Sequence, residues 1–354
     1  MKKSLIALAV LAASGAAMAQ SSVTLYGRLD AALANVKTET TANTPANAVA
    51  SMSQTKIDSS ILRTTFWGLK GTEDLGGGLK ANFKLESNFN IDTGAMGAGP
   101  TTGTFQTAFE REASVGLSGG FGSVNLGRVY TSYFSLFSAT DNITNGNIAQ
   151  TDDIWKSGVA RDTQRTSNAV RFDSADFGGV SASVTYGIDE AATPATNKNG
   201  SNVSFHVKYA AGPLLVGVAY EEVKAPYLST GVASTATKNT LIAGTYDFGV
   251  VKLTGGYNKA SDATRDDKEY QLGLNIPVSA AAVVMLGYVN SNSTGAGLTE
   301  LNSKGYTLAG QYSLSKRTAL YAGMFKSDLE SGNTVAAFKT AKTTAAAVGV
   351  VHLF

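Results

Sequence analysis

Two basic side chains lie in segments where apolar and polar residues alternate. Arg28 falls on the polar face of residues 22–36, and Lys84 falls on the polar face of residues 79–91, the most regular alternation in the chain. Such alternation is typical of β-strands with one apolar face. A fixed positive charge beside a narrow aqueous passage favours anions, because low-dielectric walls strengthen its field. Arg28 and Lys84 are therefore candidates for ion selection, either at a constriction or elsewhere along a lumen.

The alternation stops between residues 129 and 163. An irregular interval of that length is uncommon in a compact domain unless it is functional. We interpret the chain as a tube and this interval as a loop that constricts it. Acids of the loop could face a basic wall and set a transverse field across the opening, although a solvated loop tip is favoured for the last two: Asp141, Asp152 and Asp153.

Motifs for catalysis are missing from the sequence. It has two histidines, and no serine carries the sequence signature of a nucleophile for a Ser-His-Asp site. HExxH, phosphate-loop, dinucleotide and calcium-loop patterns are also missing. We therefore predict a protein that is not an enzyme, with neither a cofactor nor a metal site.

The first nineteen residues predict an export signal. Two lysines precede a short apolar run and the small residues Ala17-Met18-Ala19, which is the pattern of a cleaved secretory leader. Cleavage leaves 354 − 19 = 335 residues, and 29 − 2 = 27 basic residues then balance 27 acidic ones. A neutral mature chain has no excess charge to recruit nucleic acid. Export without cysteine fits the envelope of a Gram-negative bacterium.

Residues 20–354 predict an all-β domain, a 16-stranded antiparallel transmembrane β-barrel that the irregular interval constricts. Mean hydropathy is near zero and no apolar run reaches the length of a membrane helix, as expected when half of each strand faces a polar lumen. Seven short turns alternate with eight longer polar loops, the asymmetry of an outer-membrane barrel. Sixteen strands enclose an aqueous channel. The predicted strands are residues 22–36, 59–71, 79–91, 108–118, 121–128, 165–173, 179–188, 201–211, 214–223, 239–248, 250–260, 268–277, 281–290, 304–313, 318–327 and 344–354.

The last strand carries a second signal. Val350, His352 and the terminal Phe354 fall at alternate positions. A terminal aromatic residue on such a strand resembles the segment that outer-membrane assembly machinery reads. We predict that machinery as a partner.

Several segments carry a family resemblance. SSVTLYGRLDAAL, WGLKGTEDLGGGLKANFKLE, VGLSGGFGSVNLGR, SNAVRFDSADFGG, LSKRTALYAG and VGVVHLF are similar to the general diffusion porins of beta-proteobacteria, the family of the neisserial porins and the anion-selective porins of the Comamonas group. The resemblance runs the whole mature length. It implies a homotrimer in the outer membrane, among its lipids and lipopolysaccharide, with the third loop inside each barrel facing wall arginines.

Arg111 and Arg165 match wall arginines of the anion-selective members. In those members the wall arginines form a cluster of three, and Phe66 stands where the third arginine would be. This departure predicts only weak anion preference. Arg63 or Arg28 could substitute for the missing arginine. Arg111 shares parity with apolar residues of its segment, so a bulge or a subunit contact would be needed there.

Three functions remain possible at this level. The favoured one is an open channel for passive diffusion of ions and small hydrophilic solutes. The alternatives are a substrate-selective channel of the same fold and a non-conducting barrel that acts as an adhesin or structural protein.

Overall fold

In a computed structural model, the structure is described for residues 22–42, 49–96, 108–141, 150–159, 164–188, 201–224, 236–330 and 338–354. The predicted export signal lies outside these residues. Within them, no helix has the length and apolar character that crossing a bilayer requires.

The described chain consists of β-strands with two helices between the sixth and seventh strands. The strands are β1 (Ser22–Ala42), β2 (Val49–Ser59), β3 (Phe66–Gly76), β4 (Leu79–Asn88), β5 (Glu112–Gly119), β6 (Gly122–Tyr130), β7 (Arg165–Ser174), β8 (Val180–Ile188), β9 (Ser201–Ala211), β10 (Leu214–Lys224), β11 (Ala236–Asp247), β12 (Lys252–Ser261), β13 (Asp266–Pro277), β14 (Ala282–Thr294), β15 (Leu301–Ser313), β16 (Thr318–Glu330) and β17 (Phe338–Leu353). The helices are α1 (Ser132–Thr140) and α2 (Thr151–Trp155).

The strands form one closed antiparallel barrel. Successive strands pair from β3 to β17, and β1 closes the ring by pairing with β17 on one edge. Its other edge pairs with β3 near the start of β1 and with β2 farther along. Since β2 and β3 share one place in the ring, seventeen strand segments make sixteen barrel positions. The predicted 16-stranded barrel is confirmed.

The predicted second strand, residues 59–71, was wrong in its bounds. The polar stretch before it is also strand, β2, and residues 60–65 interrupt the pairing, with Ser60 at a φ of 62°. Inside the interruption, the backbone amides of Leu62 and Arg63 donate to the Asp30 carboxylate at 2.8 and 2.5 Å. Asp30 is fully buried on β1 and also accepts from the Tyr321 hydroxyl at 2.7 Å. One buried carboxylate therefore holds the interruption against the wall.

Strand alternation gives the barrel two different faces. On β1, the exposed Leu25 and Leu33 point outward, while Asp30, Ala32 and Ala34 are buried inside. An outward apolar face suits lipid, which cannot hydrogen-bond the backbone. The inner face is not uniformly polar, because one apolar cluster lies on it. Its members come from β1, the interruption and β14–β17: Ala32, Ala34, Ile61, Leu62, Met285, Ala309, Tyr321, Phe325, Ala345, Ala347 and Val351.

The two helices occupy the irregular interval predicted at residues 129–163. Thr131 caps α1, since its side chain accepts from the Phe134 amide at 3.0 Å. The aromatic side chains of both helices pack on buried residues of β10, β11 and β14, in a cluster of Tyr133, Phe134, Leu136, Phe137, Ile154, Trp155, Ala219, Leu241, Ala243 and Val289. The outward-facing side chains of the barrel are exposed, so the buried wall residues of this cluster point inward. The helices that cover them therefore lie against the inner wall.

Candidate functional site: a charged cavity beside the loop

A cavity of about 670 Å³ lies between the wall strands β4–β7 and helix α1. Its lining is mostly polar and charged, as an aqueous passage requires. The lining residues are Thr64, Lys84, Glu86, Asn88, Arg111, Glu112, Asn125, Val129, Tyr130, Phe134, Ser135, Ser138, Gln150, Gln164, Arg165, Arg171 and Asp173.

Three arginines and two aromatic rings alternate along the wall. The Arg28 and Arg111 guanidinium carbons lie 5.3 and 4.7 Å from the centre of the Phe66 ring. The Arg111 and Arg165 guanidinium carbons lie 6.0 and 4.5 Å from the centre of the Tyr130 ring. Each ring attracts cations through its negative π face, so the rings hold like charges near one another. Phe66, where the resemblance expects a third arginine, supports two arginines by stacking.

Tyr130 also joins two of these arginines through its hydroxyl group. The Tyr130 oxygen accepts from Arg111 Nη2 at 2.7 Å and from Arg165 Nη2 at 2.8 Å. Its ring stacks on Phe134 of α1, with ring centres 5.6 Å apart and planes 11° apart. Sequence reasoning missed Tyr130, although its place at the end of the last strand before the irregular interval was a usable signal.

Most basic groups of the cavity are neutralised by acids of the same wall. Lys84 Nζ lies 3.0 Å from Glu86 and 2.9 Å from Glu112. Arg111 Nε lies 3.4 Å from Glu86. Arg171, which the sequence analysis did not single out, lies 2.6 Å from Asp173. The lining has four basic residues, Lys84, Arg111, Arg165 and Arg171, against three acids, so it carries a small positive excess.

Arg165 is the exception among these basic residues. Its guanidinium donates to Gln164 Oε1 at 2.9 Å and to Tyr130, both uncharged. Within the described part of the chain, no carboxylate pairs with Arg165, and its Nε is buried without a hydrogen-bond partner. The positive excess of the cavity is thus concentrated on Arg165.

Arg111 reaches the cavity without a bulge in β5. Pairing of β5 with β4 begins at Glu112, opposite Glu86, so Arg111 precedes the strand and escapes its parity. The Arg111 amide donates to the Glu86 carbonyl at 3.2 Å, and Nη1 donates to Asn88 Oδ1 at 2.7 Å. Arg28 lies farther along the stack, with Nε donating to the Thr64 carbonyl at 2.8 Å.

The three loop acids do not line the cavity. Asp152 is buried, so the loop-tip interpretation is wrong for it, and its Oδ2 binds Lys156 Nζ at 2.5 Å and Gln164 Nε2 at 2.6 Å. Asp153 is exposed and accepts from the Gln150 side chain. Asp141 accepts from Thr151 Oγ1 at 2.9 Å, which joins the end of α1 to the start of α2. Through Gln164, Asp152 positions Arg165.

Buried hydroxyl groups fix the start of α1 to the wall. The Ser132 amide donates to Thr185 Oγ1 at 3.1 Å and to Ser204 Oγ at 3.0 Å. His206 Nδ1 lies 2.6 Å from the Ser132 carbonyl oxygen, to which it donates. Together with the aromatic cluster, these bonds hold the interval against strands β8–β11 and β14.

Changing Trp155 to alanine is expected to loosen this loop. Trp155 is fully buried and its ring centre lies 5.3 Å from that of Phe137. Removing a buried tryptophan typically costs about 3–5 kcal/mol, more than a five-residue helix can recover elsewhere. We expect larger and noisier single-channel conductance. Trp67→Ala, on the opposite side of the wall, is the matched control, and equal conductance of the two variants would contradict the anchoring role.

The C-terminal residues help to close the barrel between β17 and β1. The amide of Phe354 donates to the Gly27 carbonyl at 3.2 Å, and its ring lies so close to Gly27 that a Cβ there would meet it at 2.6 Å. His352 Nδ1 lies 2.9 Å from Thr318 Oγ1, and Val350 is exposed on the outer face. Their role as an assembly signal stays a prediction.

A closed β-barrel with an apolar outer face and a charged inner cavity defines a membrane channel. The chain belongs to the Gram-negative porin family, whose model matches residues 5–330. This confirms the resemblance seen in the sequence.

Relatives cover nearly the whole chain. Outer membrane porin protein 32 of Delftia acidovorans is 37% identical over 341 residues, which cover 92% of this chain and 89% of the relative. An outer membrane porin protein of Bordetella pertussis is 30% identical over 404 residues, with full coverage of both chains. The solved anion-selective porin from Comamonas acidovorans is 28% identical with a TM-score of 0.76, covering 95% of this chain and all of that one.

These findings establish a passive channel in the outer membrane of a Gram-negative bacterium. The family is one of channels rather than enzymes. Within the described residues, no group of three or more histidine or acidic side chains could hold a metal ion.

Proposed function

We propose that this porin is weakly anion-preferring and that Arg165 is the main source of the preference. The observation that carries the proposal is the partnering of the cavity charges: Lys84, Arg111 and Arg171 lie beside carboxylates, and Arg165 lies beside Gln164 and Tyr130. Paired charges largely cancel at the distance of a permeating ion, whereas an unpaired one does not. A single uncompensated arginine favours anions modestly.

The loop supplies the opposite side of the passage. Phe134, Ser135, Ser138 and Gln150 contribute to the lining, and none of them is charged. We infer that the loop narrows the channel sterically and that the field across the narrowing comes from the wall. The basic residues proposed to line it remain those named from the sequence, Arg28, Lys84, Arg111 and Arg165, joined by Arg171.

Recordings from single channels in planar bilayers test this function. We expect ohmic conductance that no single solute blocks. In a KCl gradient, the reversal potential should have the sign expected for chloride. Folded protein without conductance would favour the adhesin or structural role, and block by one solute would favour a substrate-selective channel. We also propose a homotrimer, tested by an SDS-resistant band that shifts to the monomer position on heating.

Changing Phe66 to leucine tests the arginine–aromatic stack. The change keeps an apolar side chain but removes the ring that faces Arg28 and Arg111. Each contact of this kind is worth about 0.5–2 kcal/mol, so the Arg111 side chain is expected to move more freely. Open-channel current noise should rise while the reversal potential changes little. Phe66→Tyr keeps the ring and should match the unaltered channel, and equal noise in both variants would argue against the stack.

A further inference from the structure

Gln164 lies between two opposite charges where the loop returns to the wall. Its side-chain oxygen accepts from Arg165 Nη1 at 2.9 Å, and its side-chain nitrogen donates to Asp152 Oδ2 at 2.6 Å. An amide has an acceptor at one end and a donor at the other, so this orientation satisfies both neighbours and the flipped one satisfies neither. The side chain therefore fits the gap between a cation and an anion.

Both charged neighbours of Gln164 are held in place. Lys156 Nζ lies 2.5 Å from the same Asp152 oxygen, and Asp152 is buried on α2. Arg165 begins β7 opposite Tyr130, whose hydroxyl accepts from Arg165 Nη2 at 2.8 Å. Since the two charges are fixed on different elements, the length of the side chain between them sets their separation.

The backbone of Gln164 is fixed as well. Its carbonyl oxygen accepts from the Thr131 amide at 3.0 Å, where the chain leaves β6 for α1 and returns to β7. The two ends of the loop are thus joined beside the cavity that Gln164 and Arg165 line. The Gln164 side chain therefore reaches across the gap from a fixed point.

The amide separates two charges that would otherwise meet. Within the described residues, no ion pair joins Arg165 to Asp152, although only one side chain lies between them. An arginine in contact with a carboxylate presents little net charge to a passing ion. Arg165 lines the cavity and Asp152 does not, so the amide leaves the positive charge facing the passage and the negative charge behind it.

A shorter residue at position 164 would draw the guanidinium toward the carboxylate. In the described part of the chain, Arg165 Nε is already buried without a hydrogen-bond partner. Loss of the Gln164 oxygen would leave Nη1 without its acceptor too, and an unsatisfied buried donor is unfavourable. Asp152 is the acceptor on the far side of the vacated space, and arginine–carboxylate contacts are strong.

We infer that Gln164 is a specificity-determining residue, an amide spacer that keeps the loop carboxylate Asp152 from neutralising Arg165. The inference rests on the proposed role of Arg165 in the anion preference. A glutamate at this position would repel Asp152 and pair with Arg165, and a lysine would repel Arg165. Glutamine holds both charges at hydrogen-bond distance and adds none.

Reversal potentials of Gln164→Ala channels in a KCl gradient test the inference. We expect the chloride-to-potassium permeability ratio to fall about two- to fivefold, as for loss of the Arg165 charge, because the guanidinium then contacts Asp152. Gln164→Met still fills the gap without an amide and should keep most of the preference. Gln54→Ala makes the same change at an exposed place on β2 and is the matched control. Gln164→Ser tests the same shortening if the alanine variant does not form channels.

A charge-neutral background shows whether Asp152 is the partner of the released arginine. Asp152→Asn with Lys156→Gln removes both charges of one ion pair, so the net charge stays the same. In this background Gln164→Ala should no longer lower the ratio, since Arg165 has no carboxylate to meet there. An equal fall in both backgrounds, or a fall for Gln164→Met as large as for Gln164→Ala, would overturn the inference.

The same recordings separate this inference from the proposed function. If Gln164→Ala keeps the full anion preference while Arg165→Gln loses it, the spacer is refuted and the proposed function stands. If Arg165→Gln also keeps the preference, Arg165 is not its source and both are refuted.

Discussion

Replacing Arg165 by glutamine is expected to reduce the chloride-to-potassium permeability ratio about two- to fivefold. Arg165 is the basic residue of the cavity that no described carboxylate neutralises, so its removal takes away the positive excess directly. A unit charge about 4 Å from an ion is worth about 1 kcal/mol even in bulk water, which is a factor of about five in ion population. Reversal potentials in a KCl gradient measure the ratio.

The matched control for this change is Lys259→Gln. It removes the same charge from the outer face, where Lys259 is exposed and lies 3.7 Å from Asp266. Its permeability ratio should equal that of the unaltered channel. The double change Arg111→Ser with Arg165→Ser should move the ratio further toward cations, because Glu86 then loses a partner. An Arg165→Gln channel with an unchanged ratio would mean that Arg165 does not face the ions.

Replacing Asp30 by alanine is expected to cost the barrel about 4 kcal/mol of unfolding free energy. The change leaves three buried donors without an acceptor: the amides of Leu62 and Arg63 and the Tyr321 hydroxyl. Each orphaned buried donor costs about 1–3 kcal/mol. Because these bonds also hold residues 60–65 in place, the stack at Phe66 should loosen as well. Urea unfolding in lipid vesicles, followed by tryptophan fluorescence, measures the loss.

Asp58→Asn serves as the control for Asp30. Asp58 lies in the neighbouring strand and pairs at 2.9 Å with Lys56, whose side chain is 39% exposed. Asp58 is 19% exposed and also accepts from the Ser59 amide at 3.0 Å, a bond that the asparagine side-chain oxygen can keep. The change therefore removes only a partly exposed ion pair, worth at most about 1 kcal/mol, so this variant should unfold almost as the unaltered protein does. Similar losses for the two variants would show that Asp30 is not a special support of the interruption.

Alternation allowed most of the fold to be predicted from the sequence. A strand between lipid and water must place apolar and polar residues on opposite faces, so the period of two is imposed by the two solvents. Residues 60–65 could not be predicted because their support comes from Asp30 and Tyr321, which are distant in the sequence. Local pattern carries no information about a bond to another strand.

The site was predicted in part. Arg28 and Lys84 followed from alternation, and Arg111 and Arg165 from the resemblance. Parity predicts the wrong face for Arg111, because strand pairing starts one residue later. The loop acids were expected to face the arginines. Asp141 does lie near enough to Arg63 to interact with its charge. Asp152 is instead buried beside Lys156, a partner one helical turn away. Charge signs alone could not show which carboxylate neutralises which base.

The reversal potential of the unaltered channel in a KCl gradient tests the central claim most directly. A cavity lining with one uncompensated arginine, Arg165, predicts a potential of the sign expected for chloride, well below the ideal value for a purely anion-conducting pore. A potential of the sign expected for potassium would contradict it, because the acids of the wall would then outweigh Arg165.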